Sequence, residues 1–149
     1  MRYMNDNKHL FFIDTNILVY AYEGGNSLKK RASQRLLNDI FNGKKLLAVS
    51  NQIISEFISA SVKKGKLNIN LAKEIAKDIL DFDRFVKLEY SSKTAISAAE
   101  ISSKYNMPFW DSLIAATMLE NNIFNIFTEN AKDFKIPIIN AINPFAERR

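Results

Sequence analysis

Apolar residues fall along this chain in two rhythms. Short, mostly apolar runs at residues 10–13, 46–49, 85–88, 123–127 and 136–140 have the length of buried strands. Between them, apolar residues recur every three or four positions, the period of an amphipathic helix. The first such stretch, residues 16–22, is short and breaks at Gly24-Gly25. Ser27 predicts a cap for a helix running to about Asn42, with Ala32, Leu36, Leu37, Ile40 and Phe41 facing inward. Ser50 or Asn51 caps the next helix, whose inner face is Ile53, Ile54, Phe57, Ile58 and Ser61 and which stops near Gly65. Leu71, Ile75, Ile79 and Phe82 mark another, and Ile96, Ala99, Ile101 and Tyr105 a helix starting at Ser92. Pro108 ends that segment and opens the next. Residues 113–119 are apolar nearly all round, as in a buried helix.

Strands alternating with helices predict an α/β fold with a mostly parallel central sheet of about five strands, flanked by helices. Only four glycines and three prolines punctuate the 149 residues, with no long linker or repeat, so residues 1–149 read as a single domain. In open sheets of this kind, ligands gather at the carboxyl ends of the strands. That rule selects which polar residues matter.

Composition narrows the chemistry. The chain has no cysteine and one histidine, His9, so thiolate and multi-histidine metal sites are excluded and a Ser–His–Asp triad would have to use His9. A metal must then be held by oxygen, which favours Mg²⁺ or Mn²⁺. The 21 Lys and Arg against 16 Asp and Glu leave a net charge of +5, which permits an anionic partner. Basic clusters at Lys29-Lys30-Arg31 with Arg35, at Lys44-Lys45, at Lys63-Lys64 with Lys66, and at Arg148-Arg149 serve either as phosphate contacts or as solvated faces. No stretch reaches the ~20 apolar residues that span a bilayer. The polar start of the chain carries no signal-peptide core, so a cytoplasmic protein is expected.

Acids stand at the predicted strand ends. Asp14 follows the first strand, as either a ligand-edge carboxylate or a helix cap. Glu56, the only acid between Phe41 and Lys73, lies on the flank of an apolar helix face. Asp111 opens the all-apolar helix, where a carboxylate needs a partner, a cap role or a metal. Glu129, Asn130 and Asp133 follow the fourth strand. Carboxylates converging on one sheet edge repel each other and raise each other's pKa, and a divalent cation removes that conflict. Such a centre suits phosphodiester hydrolysis. A nucleotide-binding module fits less well, because no glycine-rich loop follows the first strand.

Five pieces, in order, resemble the PIN-domain family and its VapC-type toxins: Phe12-Ile-Asp-Thr-Asn-Ile-Leu-Val-Tyr20, Ser55-Glu-Phe57, Phe109-Trp-Asp-Ser-Leu-Ile-Ala-Ala116, Thr128-Glu-Asn130 with Lys132-Asp-Phe134, and Ile142-Asn-Pro-Phe145. The resemblance implies a Rossmann-like PIN fold and a Mg²⁺- or Mn²⁺-dependent endoribonuclease, the toxin of a type II toxin–antitoxin pair. It carries the catalytic, metal-holding roles to Asp14, Glu56 and Asp111, with Asp14 and Asp111 on the metal and Glu56 on the metal or the attacking water. Asn16, Ser112, Thr128 and Asn130 take the supporting polar positions. Asn130 stands where many members carry Asp, so Glu129 or Asp133 is the candidate fourth acid. The implied products carry 5′-phosphate and 3′-hydroxyl ends. The implied partners are RNA, a second copy of the chain and an antitoxin seated on the early helices and the helix after Ser50. The alternative is a PIN-like RNA-binding or assembly module without catalysis.

Overall fold

The computed structural model describes residues 10–43, 45–64 and 66–146. His9, Lys44, Gly65, Arg148 and Arg149, named above, lie outside the described residues. Five strands form one sheet: β1 (Leu10–Ile13), β2 (Leu46–Ser50), β3 (Phe85–Leu88), β4 (Asn125–Phe127) and β5 (Asn140–Ile142). Their order is β3-β2-β1-β4-β5 and every pairing is parallel. Six helices flank the sheet: α1 (Thr15–Tyr22), α2 (Leu28–Asn42), α3 (Asn51–Lys63), α4 (Ile69–Asp81), α5 (Ser92–Tyr105) and α6 (Phe109–Glu120).

The central strand β1 supplies Phe12 and Ile13, both wholly buried, and β2 adds Leu47 and Ala48. Continuous apolar strands of this kind are what a sheet covered on both faces requires. The helices begin where small polar residues satisfy the free N–H groups of their first turns. Ser27 accepts from Lys30 N–H, Ser50 from Ile53 N–H and Asn68 from Leu71 N–H. Ser91 and Thr94 form a reciprocal cap at the start of α5.

Two helix faces differ from the apolar pattern. In α4 the buried residues are Ala72, Ala76 and Ile79, while Leu71 and Phe82 are 46% and 41% exposed. In α5 they are Thr94 and Ala98, while Ala99 is exposed and Ile96 is 66% exposed. The reason is the same in both. Small residues let α4 approach α3, and α5 approach α6, whose Leu113 and Ala116 pack against Ala98. Size at the contact outweighs hydrophobicity at the helix face. Tyr22, at the end of α1, is partly exposed and packs edge-to-face with the buried Phe57.

Two strands also shift. The fourth starts at Asn125 rather than residue 123, because Ile123 N–H turns back to Met118 O and closes the end of α6. The fifth starts at Asn140 rather than residue 136. Pro137 has no N–H to give a ladder, and Ile139 N–H closes a turn on Ile136 O, so pairing begins with Asn125 opposite Asn140.

The corrected faces predict stability. Phe57→Ala should cost about 3–5 kcal/mol in urea unfolding. Ile96→Ser should stay within about 0.5 kcal/mol of wild type, as expected for a surface site. Ala98→Leu should cost about 1–3 kcal/mol by overpacking the α5–α6 contact.

Candidate metal centre

The chain runs outward from β1 to β2 and β3, then crosses back to place β4 on the other side of β1. The strand order therefore reverses between β1 and β4, the position at which parallel sheets open a crevice. Asp14 ends β1 and Thr128 ends β4. Asp14 N–H donates to Phe127 O at 3.0 Å, and Thr128 Oγ1 donates to Asp14 Oδ2 at 2.7 Å. The other carboxylate oxygen of Asp14, Oδ1, accepts from Thr15 N–H at 2.7 Å, which makes Asp14 the cap of α1 as well. Cap and ligand-edge acid, alternatives in the sequence, are one geometry here.

Thr15 carries the link onward. Its Oγ1 donates to Glu56 Oε2 at 2.9 Å, and Gln52 Nε2 donates to Glu56 Oε1 at 2.8 Å. The same Gln52 Nε2 donates to Trp110 O at 3.0 Å, tying α3 to the start of α6 beside Asp111. Asp14, Glu56 and Asp111 thus arrive from three elements and line one cleft of about 590 Å³, together with Asn16, Glu129 and Asn130. Lys63 and Lys64, at the end of α3, line it as well.

The electrostatics are those of crowded carboxylates. Burial raises the Asp14 carboxyl above its ordinary range, against the lowering pull of the Thr128 and Thr15 bonds, and the Glu56 charge adds to the rise. Asp111 is pushed up to about 7, first by loss of water, then by the charges of Asp14, Asp133 and Glu56 and by a hydrogen bond with Asp133. Among the described residues, no group of three acids lies close enough to grip a metal ion as it stands. The donor set nonetheless fits a hard divalent cation. Every donor is oxygen, and the neighbouring charges that add to the rise in Asp111 after burial are all negative.

Residues 11–136 match the model of the PIN domain. The chain belongs to the PIN-domain family. Among curated proteins none matches it in sequence. Solved structures resemble this PIN fold. A toxin–antitoxin complex from Klebsiella pneumoniae superposes with a TM-score of 0.65 at 21% identity, covering 91% of this chain and 98% of that one. VapC20 of Mycobacterium tuberculosis, a sarcin–ricin-loop-cleaving toxin, gives 0.61 at 18%, covering 78% and 86%. VapBC2 of Rickettsia felis, bound to a promoter DNA fragment, gives 0.66 at 20%, covering 90% and 98%. At these identities the likeness is one of fold.

Within the PIN fold the remaining candidate residues separate. Asn16 Oδ1 accepts from Glu129 N–H at 3.3 Å, and Thr128 Oγ1 accepts from Asn130 N–H at 3.0 Å, so both shape the loop after β4. Ser112 is buried and donates to Pro108 O within its own helix, away from the acids. The two candidates for a fourth acid part company. Glu129 forms an ion pair with Lys29 at 2.6 Å and accepts from Tyr20 OH at 3.0 Å. Asp133, in the 3₁₀ turn Ala131–Asp133, faces Asp111 instead. Lys29 is committed to Glu129, and Lys30 to the carbonyls of Glu23 and Gly25, so that basic cluster is structural in part. Thr15 and Gln52 are site residues that sequence reasoning missed. Gln52 stands four residues before Glu56, the spacing of neighbours on a helix, and that signal was available.

The raised Asp111 pKa has a definite sign in metal-free protein. Between about 4 and about 7 the folded chain keeps a proton that the unfolded chain has shed, so stability falls as pH rises through that window. Asp14 acts in the same direction. In thermal melts with chelator, Asp111→Asn should match wild type near pH 4 and melt higher above pH 7.

Proposed function

We propose that this PIN-domain chain is a divalent-metal-dependent endoribonuclease acting in the cytoplasm, the toxin of a type II toxin–antitoxin pair. The observation that carries this reading is the meeting of Asp14, Glu56 and Asp111 in one cleft at the switch point of the sheet. The family supports nuclease chemistry, and the fold likeness to toxins solved with their antitoxins supports a protein partner.

Asp14, Asp111 and Glu56 would hold a Mg²⁺ or Mn²⁺ ion, with Asp133 better placed than Glu129 to assist. When bound, the ion supplies positive charge to the phosphate and makes the attacking water more acidic. Thr128 and Thr15 N–H fix both oxygens of Asp14, so its carboxylate meets the ligand without first having to be oriented. Glu56, steadied by Thr15 and Gln52, orients the attacking water and receives its proton. Lys63 and Lys64 bring positive charge to the side of the cleft that the acids leave uncompensated, which draws an RNA backbone in. Hydrolysis leaves a 5′-phosphate and a 3′-hydroxyl. In the same reading the chain works as a homodimer of single-domain copies, and an antitoxin covers the cleft.

The binding-module reading rests on one observation, that an exposed Asn130 stands at the fourth acid position. A single assay separates the two. Wild-type protein with Mn²⁺ or Mg²⁺ should cut a mixed RNA pool, and EDTA, Asp14→Asn and Asp111→Asn should each abolish cutting. Thr128→Val, which removes the hydroxyl that supports Asp14 and receives Asn130 N–H, should lower the rate about 10–100-fold. Folded wild-type protein that neither cuts nor binds a divalent ion sinks the nuclease reading.

A further inference from the structure

A second cleft, of about 500 Å³, adjoins the carboxylate site, and Glu56 and Ser59 line both. Gln52, Glu56, Ser59 and Lys63 recur on α3 at spacings of four, three and four, which places them on one helix face. That face runs roughly 16 Å along the axis at ~1.5 Å per residue. The two clefts are therefore one groove with α3 as its wall. Lysines stand at one end, acids in the middle and aromatic rings at the other.

The aromatic end is built from Tyr90 and Trp110. Trp110 is 61% exposed, although it stands one residue before the half-buried Asp111. Phe109 packs against it edge-to-face at 5.3 Å, and no other ring pairs with the indole among the described residues. Asn51 Oδ1 accepts from Tyr90 N–H at 3.1 Å and so pins the far wall to the start of α3. At the floor, Gln52 is only 4% exposed, and its Oε1 accepts no hydrogen bond. Its amide is held from the nitrogen side by Glu56 and Trp110 O, so the oxygen is the end that lacks a partner. A cleft walled by an exposed indole and a tyrosine, next to a proposed phosphodiester site, matches an unpaired nucleobase.

We infer that Trp110 and Tyr90 form a nucleobase subsite, which takes the unpaired base of the nucleotide beside the scissile phosphate. The base stacks on the exposed indole of Trp110, above the buried Gln52. This inference rests on the nuclease reading for the strand's path, yet it can fail separately. It assigns preference for single-stranded RNA to this end of the groove and cutting to the acids.

Trp110 is the chain's one tryptophan, so its fluorescence reports on the subsite alone. The full chain is titrated with hexamers of adenylate and of uridylate and with an abasic ribose-phosphate hexamer, with Ca²⁺ in place of Mg²⁺ and again in EDTA. Base-bearing strands should quench the indole and the abasic strand should not. Trp110→Ala should weaken binding of the adenylate hexamer about tenfold, and Trp110→Phe should restore most of it. Equal quenching by the abasic strand overturns the subsite, as does no response to any strand. An unchanged affinity in Trp110→Ala with an altered sedimentation rate also overturns it, and gives this face to a second copy of the chain. Cutting of the mixed RNA pool with Mn²⁺ or Mg²⁺, measured in parallel on the same protein, keeps the two claims apart. Cleavage without a base-dependent Trp110 response overturns the subsite and leaves the nuclease standing. A base-dependent response without cleavage upholds the subsite and overturns the nuclease.

Discussion

The hydrogen bond from Thr128 to Asp14 joins the two strands between which the sheet reverses its order. It sits where each strand runs out of ladder partners and the backbone must turn into a loop or helix. Asp14 answers that need twice, by capping α1 through one oxygen and meeting Thr128 through the other. Thr128 in turn receives Asn130 N–H, and Asn16 receives Glu129 N–H, so the loop after β4 is built upon the helix after β1. A carboxylate fixed on both oxygens is a rigid reference point. Glu56 is positioned relative to it through Thr15, and the start of α6 relative to Glu56 through Gln52.

That chain of contacts gathers negative charge at an edge that ordinary folding energetics would disperse. Burying carboxylates near one another is unfavourable without compensation. The fold compensates partly, with the helix N-termini beneath Asp14 and Asp111 and with neutral donors on Asp14 and Glu56. It neutralises Glu129 outright, with Lys29 backed by the rings of Tyr20 and Phe145. Asp111 has no such ion pair among the described residues, and its pKa is raised first by burial and then by the charges of Asp14, Asp133 and Glu56.

The sheet was legible because its strands are apolar runs and its caps are Ser or Asp at the expected places. Asp14, Glu56 and Asp111 were legible as acids next to such runs. What escaped was governed by size and by local backbone bonds. The buried faces of α4 and α5 are set by Ala72, Ala76 and Ala98, which a hydrophobicity pattern underweights. The starts of β4 and β5 are set by turns that reclaim Ile123 and Ile139 N–H. Gln52 escaped because a long polar side chain is rarely buried, and here Glu56 one turn on and Trp110 O on α6 hold it in place. The choice between Glu129 and Asp133 turns on Lys29, a hundred residues away in the chain, and no local reading reaches that far.

The bond from Thr128 to Asp14 spans 114 positions of sequence. A chain emerging from a ribosome therefore holds Asp14 through all of that length before the residue that fixes it exists. The two outer-side crossovers must be laid down, and α5 and α6 must return the chain to β1, before the cleft closes around its acids. Assembly of the centre thus waits on its most distant strand. Whatever this edge of the sheet does, the protein acquires it only after Thr128 has been made.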